Sequence, residues 1–264
     1  MAISRFLKRL RPQPPYPDLP APKDPICIIG DIHGRSDLLD TLVRQLCCAP
    51  HLGRTRVILV GDLIDRGPDS AGVLACVRDW CDAPAPFAAV DCLMGNHERM
   101  MLDFLDDPVT QGPHWLSHGG EATLESFGLS PHRRPPDSTA DSALVALRDD
   151  LLAALPEGLQ DWIRARPLIW QDGPLVITHA GADPDSPMEA QSDTSLLWGH
   201  RAFLTRPRRD GLWVAHGHVI TRTPEARTGR IAVDTGAWQT GCLTAARLAA
   251  DGLRFISTPP PEEP

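Results

Sequence analysis

Short apolar runs that stop at a glycine recur along the first part of the chain. Residues 57–60 read VILV before Gly61, and residues 26–29 read ICII before Gly30. Runs of this length and composition predict strands that are buried on both faces, as in a parallel sheet. Similar runs predict further strands at 87–94, 167–170, 175–178, 212–215, 231–233, 243–246 and 253–256, the second and third of these joined as a hairpin by Asp172-Gly173.

Apolar residues at helical spacing follow the first three predicted strands. Leucines between Leu38 and Leu46 predict a helix that Ser36 or Asp37 could cap. A second helix is predicted from about Pro68 to Trp80, and a third over the residues that follow Gly95-Asn96-His97-Glu98. This alternation of strand, loop and helix predicts an α/β fold.

The two ends of the chain have a different composition. Residues 1–25 combine basic residues with many prolines and predict a disordered tail, although a short membrane-surface helix around Leu7 and Leu10 is the alternative. Residues 259–264 are rich in Pro and Glu and predict a second disordered tail. Residues 26–258 are therefore expected to form one domain.

Charge and cysteine content narrow the class of protein. The formal net charge of −8 argues against general nucleic-acid binding, which needs a positive surface. Seven cysteines without CxxC spacing predict reduced, mostly buried thiols and no metal-thiolate site. Without a long apolar stretch or a signal-peptide core, the sequence predicts no stable membrane insertion and a cytoplasmic location.

Polar residues lie directly after the predicted strands. Gly61 opens the sequence GDLIDRGPDS, which holds Asp62, Asp65 and Arg66 and could by itself be no more than a solvated turn. Asp31 and His33 follow the first strand, two residues apart, so that both side chains could face one cation. Turn propensity alone does not explain why such residues follow successive strands.

Five strand-terminal loops together offer oxygen and nitrogen ligands without a thiolate. This set predicts a dinuclear site for Mn²⁺, with Fe or Zn²⁺ as alternatives. Its members are Asp31, His33, Asp62, Asn96, His179 and His218. His216 is a rival to His218 on spacing alone, but we expect it to lie behind the ligands.

Five ordered motifs resemble the phosphoprotein phosphatase family of calcineurin-like metallophosphoesterases, in particular bacterial and phage lambda phosphatase-like serine/threonine phosphatases. The motifs GDxHG, GDxxDRG, GNHE, HAG and GH stand at 30–34, 61–67, 95–98, 179–181 and 217–218. The resemblance spans roughly residues 26 to 257. It implies a four-layer αββα sandwich, and residues 106–166 are then expected to form a helical insert that caps one side of the site, with His114, His118 and His132 solvated.

The resemblance also implies roles for individual residues. Asp31 and His33 would hold one metal, Asp62 would bridge, and the other metal would be held by Asn96, His179 and His218. A hydroxide generated on the metals would attack phosphorus in one in-line step. His97 would be the general acid, oriented by Asp65, while Arg66 and Asn96 would bind phosphate.

One segment departs from the family pattern. Bacterial relatives carry a second phosphate arginine two residues after a tryptophan, whereas Trp198 is followed by Gly199, His200 and Arg201. We expect Gly199 to let Arg201 reach the phosphate, because a guanidinium is always charged and binds phosphate through two donors. His200 on the phosphate, or a surface loop that contacts no substrate, are the alternatives.

The resemblance leaves the substrate open. Asp65 and Glu98 favour a protein phosphatase, because diadenosine tetraphosphate hydrolases of the same family typically have Ala and Asp at these positions. The expected partner is a phosphorylated protein or a small phosphate ester, and the oligomeric state is open. The alternatives are a bis(5'-nucleosyl)-tetraphosphatase-like hydrolase and a catalytically silent binding module, but the complete ligand set and His97 argue against the latter.

Overall fold

The computed structural model describes residues 16–48, 52–132 and 139–259, and two five-stranded sheets lie at its centre. The first sheet contains β1 (Ile26–Ile29), β2 (Arg56–Leu59), β3 (Ala89–Cys92), β9 (Thr244–Ala249) and β10 (Gly252–Ser257). The second contains β4 (Ile169–Asp172), β5 (Leu175–Thr178), β6 (Trp213–His216), β7 (Glu225–Arg227) and β8 (Arg230–Ala232). The helices are α1 (Ser36–Leu46), α2 (Ser70–Asp82), α3 (Asn96–Asp106), α4 (Pro108–Trp115), α5 (Glu121–Ser126), α6 (Ala140–Ala154), α7 (Leu159–Arg164), α8 (Asp193–Trp198) and α9 (Ala237–Thr240).

The strand order brings the predicted polar loops to one edge. In the first sheet the order is β10-β9-β1-β2-β3, and β1, β2 and β3 run parallel. In the second the order is β4-β5-β6-β8-β7, and β5, β6 and β8 run parallel. The predicted hairpin of β4 and β5 is confirmed, with Asp172 opposite Leu175. Ligand sites form beyond the carboxyl ends of such parallel strands.

Alternation along the strands divides the core into layers. Ile26 and Ile28 of β1 belong to the apolar cluster that also contains Ile177 of β5 and therefore lies between the sheets. Cys27 and Ile29 belong instead to the cluster formed with the helices. A smaller cluster covers the outer face of the second sheet and includes Leu196 of α8. The predicted α/β sandwich is confirmed, because each sheet buries both of its faces.

Residues 16–25 correct the expected N-terminal tail. The Tyr16 hydroxyl donates to the Leu212 carbonyl at 2.5 Å, and the Trp213 indole N–H lies 3.1 Å from the carbonyls of Pro17 and Asp18. The Tyr16 ring packs where Gly229 has no side chain. A proline-rich composition thus did not prevent these residues from packing on the second sheet. The remainder of the predicted tail, residues 1–15, lies outside the described residues, as do residues 260–264.

Several local predictions differ from the structure in detail. The helix expected from Pro68 begins at Ser70, because the Asp69 side chain accepts from the Gly72 N–H and caps it. Residues 108–126 and 140–164 hold helices α4 to α7, with a five-residue π-helix at Leu116–Gly120. Gly119 and Gly120 end this π-helix, and Gly120 is also the N-cap of α5.

The expectation of mostly buried thiols is wrong in part. Cys27 and Cys92 are buried, whereas Cys47 and Cys48 are exposed and the other three are half-buried. Burial raises the pKa of the Cys27 thiol to about 12. Among the helices that the structure describes, none has the length and apolar character required to cross a membrane.

Candidate metal centre and active site

The candidate site lies where the parallel strands of both sheets end. Its residues come from the loops after β1, β2, β3, β5 and β6, as the sequence pattern predicts. Five non-glycine residues here have positive φ between 48° and 71°; they are His33, Asp62, Asp65, Arg66 and His218. Left-handed backbone is unfavourable for such residues, and its concentration at one place is typical of functional sites.

Asp62 is the centre of this arrangement. Its Oδ2 lies 3.4 Å from Nε2 of His33, and its Oδ1 lies 3.4 Å from Nε2 of His179. Asp62 is shared by two groups of side chains whose ligand atoms all lie within 4.8 Å of one another, one with His33 and His97 and the other with His179 and His218. A carboxylate in this position can contact two cations at once.

The tautomers of two histidines direct lone pairs into the site. Nδ1 of His33 lies 2.7 Å from the Ile64 carbonyl, and Nδ1 of His179 lies 3.0 Å from the Val60 carbonyl. A carbonyl only accepts, so each Nδ1 carries the proton and each Nε2 is left as an acceptor facing Asp62. Burial lowers the pKa of His33 to about 3 and also lowers that of His179, which keeps both rings neutral and able to bind metal.

At one contact in the site an acceptor therefore faces an acceptor, and a second buried acceptor has no partner. Oδ1 of Asn96 lies 2.8 Å from the unprotonated Nε2 of His179 and 2.9 Å from Nδ1 of His218. Oδ1 of Asp31 is buried without a hydrogen-bond partner, while its Oδ2 accepts from the His218 N–H. Buried lone pairs that lack donors are costly unless a cation compensates them. The donor set that the sequence predicts is thus brought together and fits divalent cations.

A second group of buried side chains joins His97 to Asp65. Nδ1 of His97 donates to Oδ2 of Asp65 at 2.7 Å, and both side chains are buried. Burial alone would lower the pKa of His97, but the charges of Asp62 and Asp65 and the hydrogen bond to Asp65 raise it above 6.5. Nε2 of His97 is left facing the site, where the Arg66 guanidinium lies 3.0 Å from it.

Asp65 is itself held by two residues of the helical insert that the sequence did not indicate. The Trp115 indole N–H donates to Oδ2 at 2.9 Å, and the Thr123 hydroxyl donates to Oδ1 at 2.6 Å. Burial raises the pKa of Asp65, whereas these donors and His97 counteract that rise.

Glu98 is also a site residue, but it acts on the backbone rather than on substrate. Its carboxylate accepts from the N–H groups of Asp62 and Gly95 at 2.9 Å and of Leu63 at 2.8 Å. It thereby joins the loop after β2 to the loop after β3. Burial, followed by the charge of Asp62, raises the pKa of Glu98 to about 7. A shorter aspartate would not span the same donors.

Asp234 was missed by the sequence analysis. It follows β8 and its Oδ1 accepts from the Gly236 N–H at 2.8 Å. It is 3% exposed and interacts electrostatically with Asp31 and Asp62, and burial raises its pKa to about 6. A signal was present, because Asp234 stands before Thr235-Gly236 at the end of a predicted strand, as the other acidic site residues do.

Arg66 lies at the mouth of the site. Its guanidinium lies 3.1 Å from Nε2 of His33 and 3.0 Å from Nε2 of His97, and 5.1 Å from the ring of Trp238. The backbone N–H of Arg66 donates to the Gly119 carbonyl at 3.2 Å. Arg66 thus connects the predicted metal ligands to an open cleft of about 800 Å³.

His200 and Arg201 lie apart from this cluster. Nδ1 of His200 lies 3.6 Å from Oδ1 of Asp183, and Arg201 is exposed. Among the described residues, the lining of the cleft at Arg66 includes neither of them. His216 is buried and packs on the Phe203 ring, with its Nδ1 bonded to the Gly217 carbonyl. The histidines expected to be solvated, at 114, 118 and 132, are exposed, and His118 also lines the cleft.

Comparisons with known proteins agree with this geometry. The family model described as calcineurin-like phosphoesterase matches residues 24–222. Serine/threonine-protein phosphatase 1 of Salmonella typhimurium is 30% identical over 231 residues, which cover 84% of this chain and 91% of that protein. The asymmetrical bis(5'-nucleosyl)-tetraphosphatase PrpE of Halalkalibacterium halodurans is 26% identical over 252 residues, which cover 88% and 92%.

A solved structure extends the likeness to the fold. The cold-active protein-tyrosine phosphatase of a psychrophilic Shewanella superposes with a TM-score of 0.56 at 17% identity, covering 91% of this chain and 82% of that one. Relatives thus carry the names of both protein phosphatases and nucleotide hydrolases. Family match, fold and site together place the chain among the calcineurin-like metallophosphoesterases of the phosphoprotein phosphatase family, as a hydrolase of phosphoric esters.

Proposed function

We propose that the protein is a metal-dependent phosphomonoesterase that removes phosphate from phosphorylated proteins, at serine and threonine and also at tyrosine. The observation that carries the proposal is the buried hydrogen bond between His97 and Asp65, beside the ligand cluster around Asp62. A phosphomonoesterase acting on alkyl esters needs a proton donor for the leaving oxygen. The pair supplies one.

Two divalent cations fit the ligand cluster, with Mn²⁺ as our first choice. Asp31 and His33 would hold one cation, and Asn96, His179 and His218 would hold the other. Asp62 would contact both cations. When bound, such ions lower the pKa of a water molecule and neutralise phosphate oxygens. Carboxylate, amide and imidazole ligands without a thiolate suit Mn²⁺, Fe or Zn²⁺.

The chain's own residues perform the other tasks. Arg66 would bind the phosphate, since its guanidinium offers parallel donors and lies between His33 and His97. Asn96 would contribute its amide, and we keep Arg201 as the proposed second phosphate ligand ahead of His200. His97 would protonate the leaving oxygen through Nε2, while Asp65 fixes the ring and supports its positive charge.

The same geometry bears on the competing functions. A bis(5'-nucleosyl)-tetraphosphatase activity is the second candidate function, because some of the relatives are nucleotide hydrolases of that name. An aspartate at position 65 favours the phosphatase, because a dinucleoside tetraphosphate is cleaved at a phosphoanhydride bond and the nucleotide that leaves does so through a phosphate oxygen, which needs no proton donor. The intact ligand cluster and the His97–Asp65 pair argue against a silent binding module.

A substrate panel tests the proposal. The purified protein with Mn²⁺ is assayed on phosphoserine, phosphothreonine and phosphotyrosine peptides and on diadenosine tetraphosphate. We expect turnover of the peptides with kcat/KM well above that for the dinucleotide. A reversed order supports the nucleotide hydrolase. Undiminished activity after exhaustive chelation, with metal content verified below stoichiometry, overturns the metal-dependent mechanism.

A further inference from the structure

The open cleft beside Arg66 has two unlike walls. One wall is apolar and consists of Val219 and Ile220, from the loop after β6, and Trp238, from α9. The other belongs to the π-helix of the insert and presents Ser117 and His118. The mouth of the site is therefore asymmetric, and whatever is esterified to the phosphate at Arg66 must pass between these walls.

The apolar wall is built before substrate arrives. The Thr221 N–H donates to the Asp234 carbonyl at 2.9 Å and ties the loop after β6 to the loop after β8. Gly236 has φ of +71°, and a Cβ there would lie 3.1 Å from Cγ2 of Ile220. The absence of a side chain at this position lets the two loops approach closely. Backbone contacts thus hold Ile220 and Trp238 on the same side.

This wall is exposed to an unusual degree for large apolar side chains. Trp238 is 37% exposed and Ile220 is 40% exposed, although both lie next to buried site residues. Neighbouring exposed apolar side chains that border a polar site mark a binding surface. Their position at the cleft indicates that they contact the part of the substrate beyond the phosphate.

Trp238 also faces the phosphate-binding arginine. The Arg66 guanidinium carbon lies 5.1 Å from the centre of the Trp238 ring, within range of a cation–π interaction. A group that leaves the phosphate at Arg66 along this wall therefore meets the indole first. In an aryl ester the ring is one oxygen atom away from phosphorus and fills this space, whereas a serine ester places only a methylene group there.

We infer that Trp238 and Ile220 determine specificity by contacting the ring of an aryl phosphate, so that the cleft selectively supports hydrolysis of phosphotyrosine. The inference rests on the proposed phosphatase function and adds the residues that read the alcohol part of the ester. Stacked or edge-on aromatic pairs contribute enough stabilisation to change a rate by about tenfold. A phosphoserine side chain has no ring to make this contact, so its hydrolysis does not depend on the apolar wall.

The test compares two peptides that differ only in carrying phosphotyrosine or phosphoserine. The measured quantity is the ratio of their kcat/KM values, in the Mn²⁺-loaded enzyme. Trp238→Ala is expected to lower this ratio by about tenfold, and Ile220→Ser to lower it less. Trp238→Phe retains a ring and should retain the ratio. Leu152→Ala, at an exposed apolar residue of α6, is the matched control and should leave it unchanged.

Other changes in the activity of Trp238→Ala would contradict the inference. An equal loss for both peptides in Trp238→Ala overturns the inference, because Trp238 would then act only through Arg66. A loss confined to diadenosine tetraphosphate also overturns it and assigns the wall to a nucleobase. If the wild type cleaves neither peptide, the proposed function fails, and the ratio of 4-nitrophenyl phosphate to glycerol 2-phosphate in the same variants decides the inference separately.

Discussion

Trp115 donates its indole N–H to Oδ2 of Asp65 at 2.9 Å, the same oxygen that binds Nδ1 of His97. The indole can take this position because Gly120 has no side chain. A Cβ at Gly120 would lie 2.6 Å from atoms of the Trp115 ring. The helical insert is therefore joined to the proposed acid by a continuous chain of hydrogen bonds. Such a chain orients the imidazole and fixes which nitrogen carries the proton.

Trp115→Phe should slow the hydrolysis of alkyl phosphates while leaving the fold intact. The substitution keeps a ring against Phe104 but removes the donor to Asp65. We expect kcat for a phosphoserine peptide to fall by about tenfold, because a hydrogen bond to a charged group is lost. Trp162→Phe, at a half-buried indole of the same insert that stacks on Arg166, is the control. Equal losses in both variants would contradict a positioning role for Trp115.

His97→Ala should separate substrates by their leaving group. An alkoxide needs a proton as it departs, whereas an activated aryl oxide leaves without one. We expect kcat to fall by about 10²–10⁴-fold for a phosphoserine peptide and far less for 4-nitrophenyl phosphate. Metal content is measured in parallel. A variant that keeps its metals and slows both substrates equally would refute the general-acid assignment.

Gly119→Ala should damage phosphate binding through Arg66. Gly119 has φ of +108°, and an added Cβ would lie 2.8 Å from Cγ of Arg66. We expect kcat/KM to fall for every phosphate ester. The matched control is Gly128→Ala, where φ is +77° but nothing lies within 4 Å of the added Cβ. Both variants carry backbone strain, so only the displaced arginine should distinguish their activities.

Asp62→Asn should lose metal as well as activity. The amide removes the negative charge that both candidate cation positions share between His33 and His179. We expect Mn²⁺ content after dialysis to fall below one ion per chain and turnover to be close to background. In the wild type, Mn²⁺ should raise the melting temperature, because a ligand that binds only the folded state stabilises it. Full metal occupancy in the variant would exclude a bridging role.

Alanine variants of His200 and Arg201 address the second phosphate ligand. The side chain of His200 lies near Asp183, which leaves Arg201 as the free cation of this turn within the described residues. We expect Arg201→Ala to lower kcat/KM by about tenfold and His200→Ala to change it little. The reverse pattern, a large loss for His200→Ala and little change for Arg201→Ala, would place the histidine on phosphate. Two unchanged variants would leave Arg66 as the main side-chain contact.

The candidate metal ligands could be predicted from the sequence because their signal is local. Each lies directly after an apolar run that forms a strand. The carboxyl ends of parallel strands lie at the same edge of a sheet, regardless of the length or packing of the helices that connect them. Asp31, Asp62 and His179 were therefore assigned from motif and position alone. Asp234 also follows a strand, β8, but it was not predicted because no histidine or second acidic residue lies beside it in the sequence.

Tertiary structure decided which residues support and surround those ligands. Trp115 meets Asp65 from 50 positions away, and Trp238 reaches Arg66 from α9, which lies between β8 and β9 in the chain, so neither contact leaves a periodic or motif signal in the sequence. Tyr16 shows the same limit, since proline content predicted a tail while the space beside Gly229 accepts its ring. Strand ends follow from the local alternation of apolar and polar residues. The walls of the cleft depend on the packing of separate loops, which only the folded chain brings into contact.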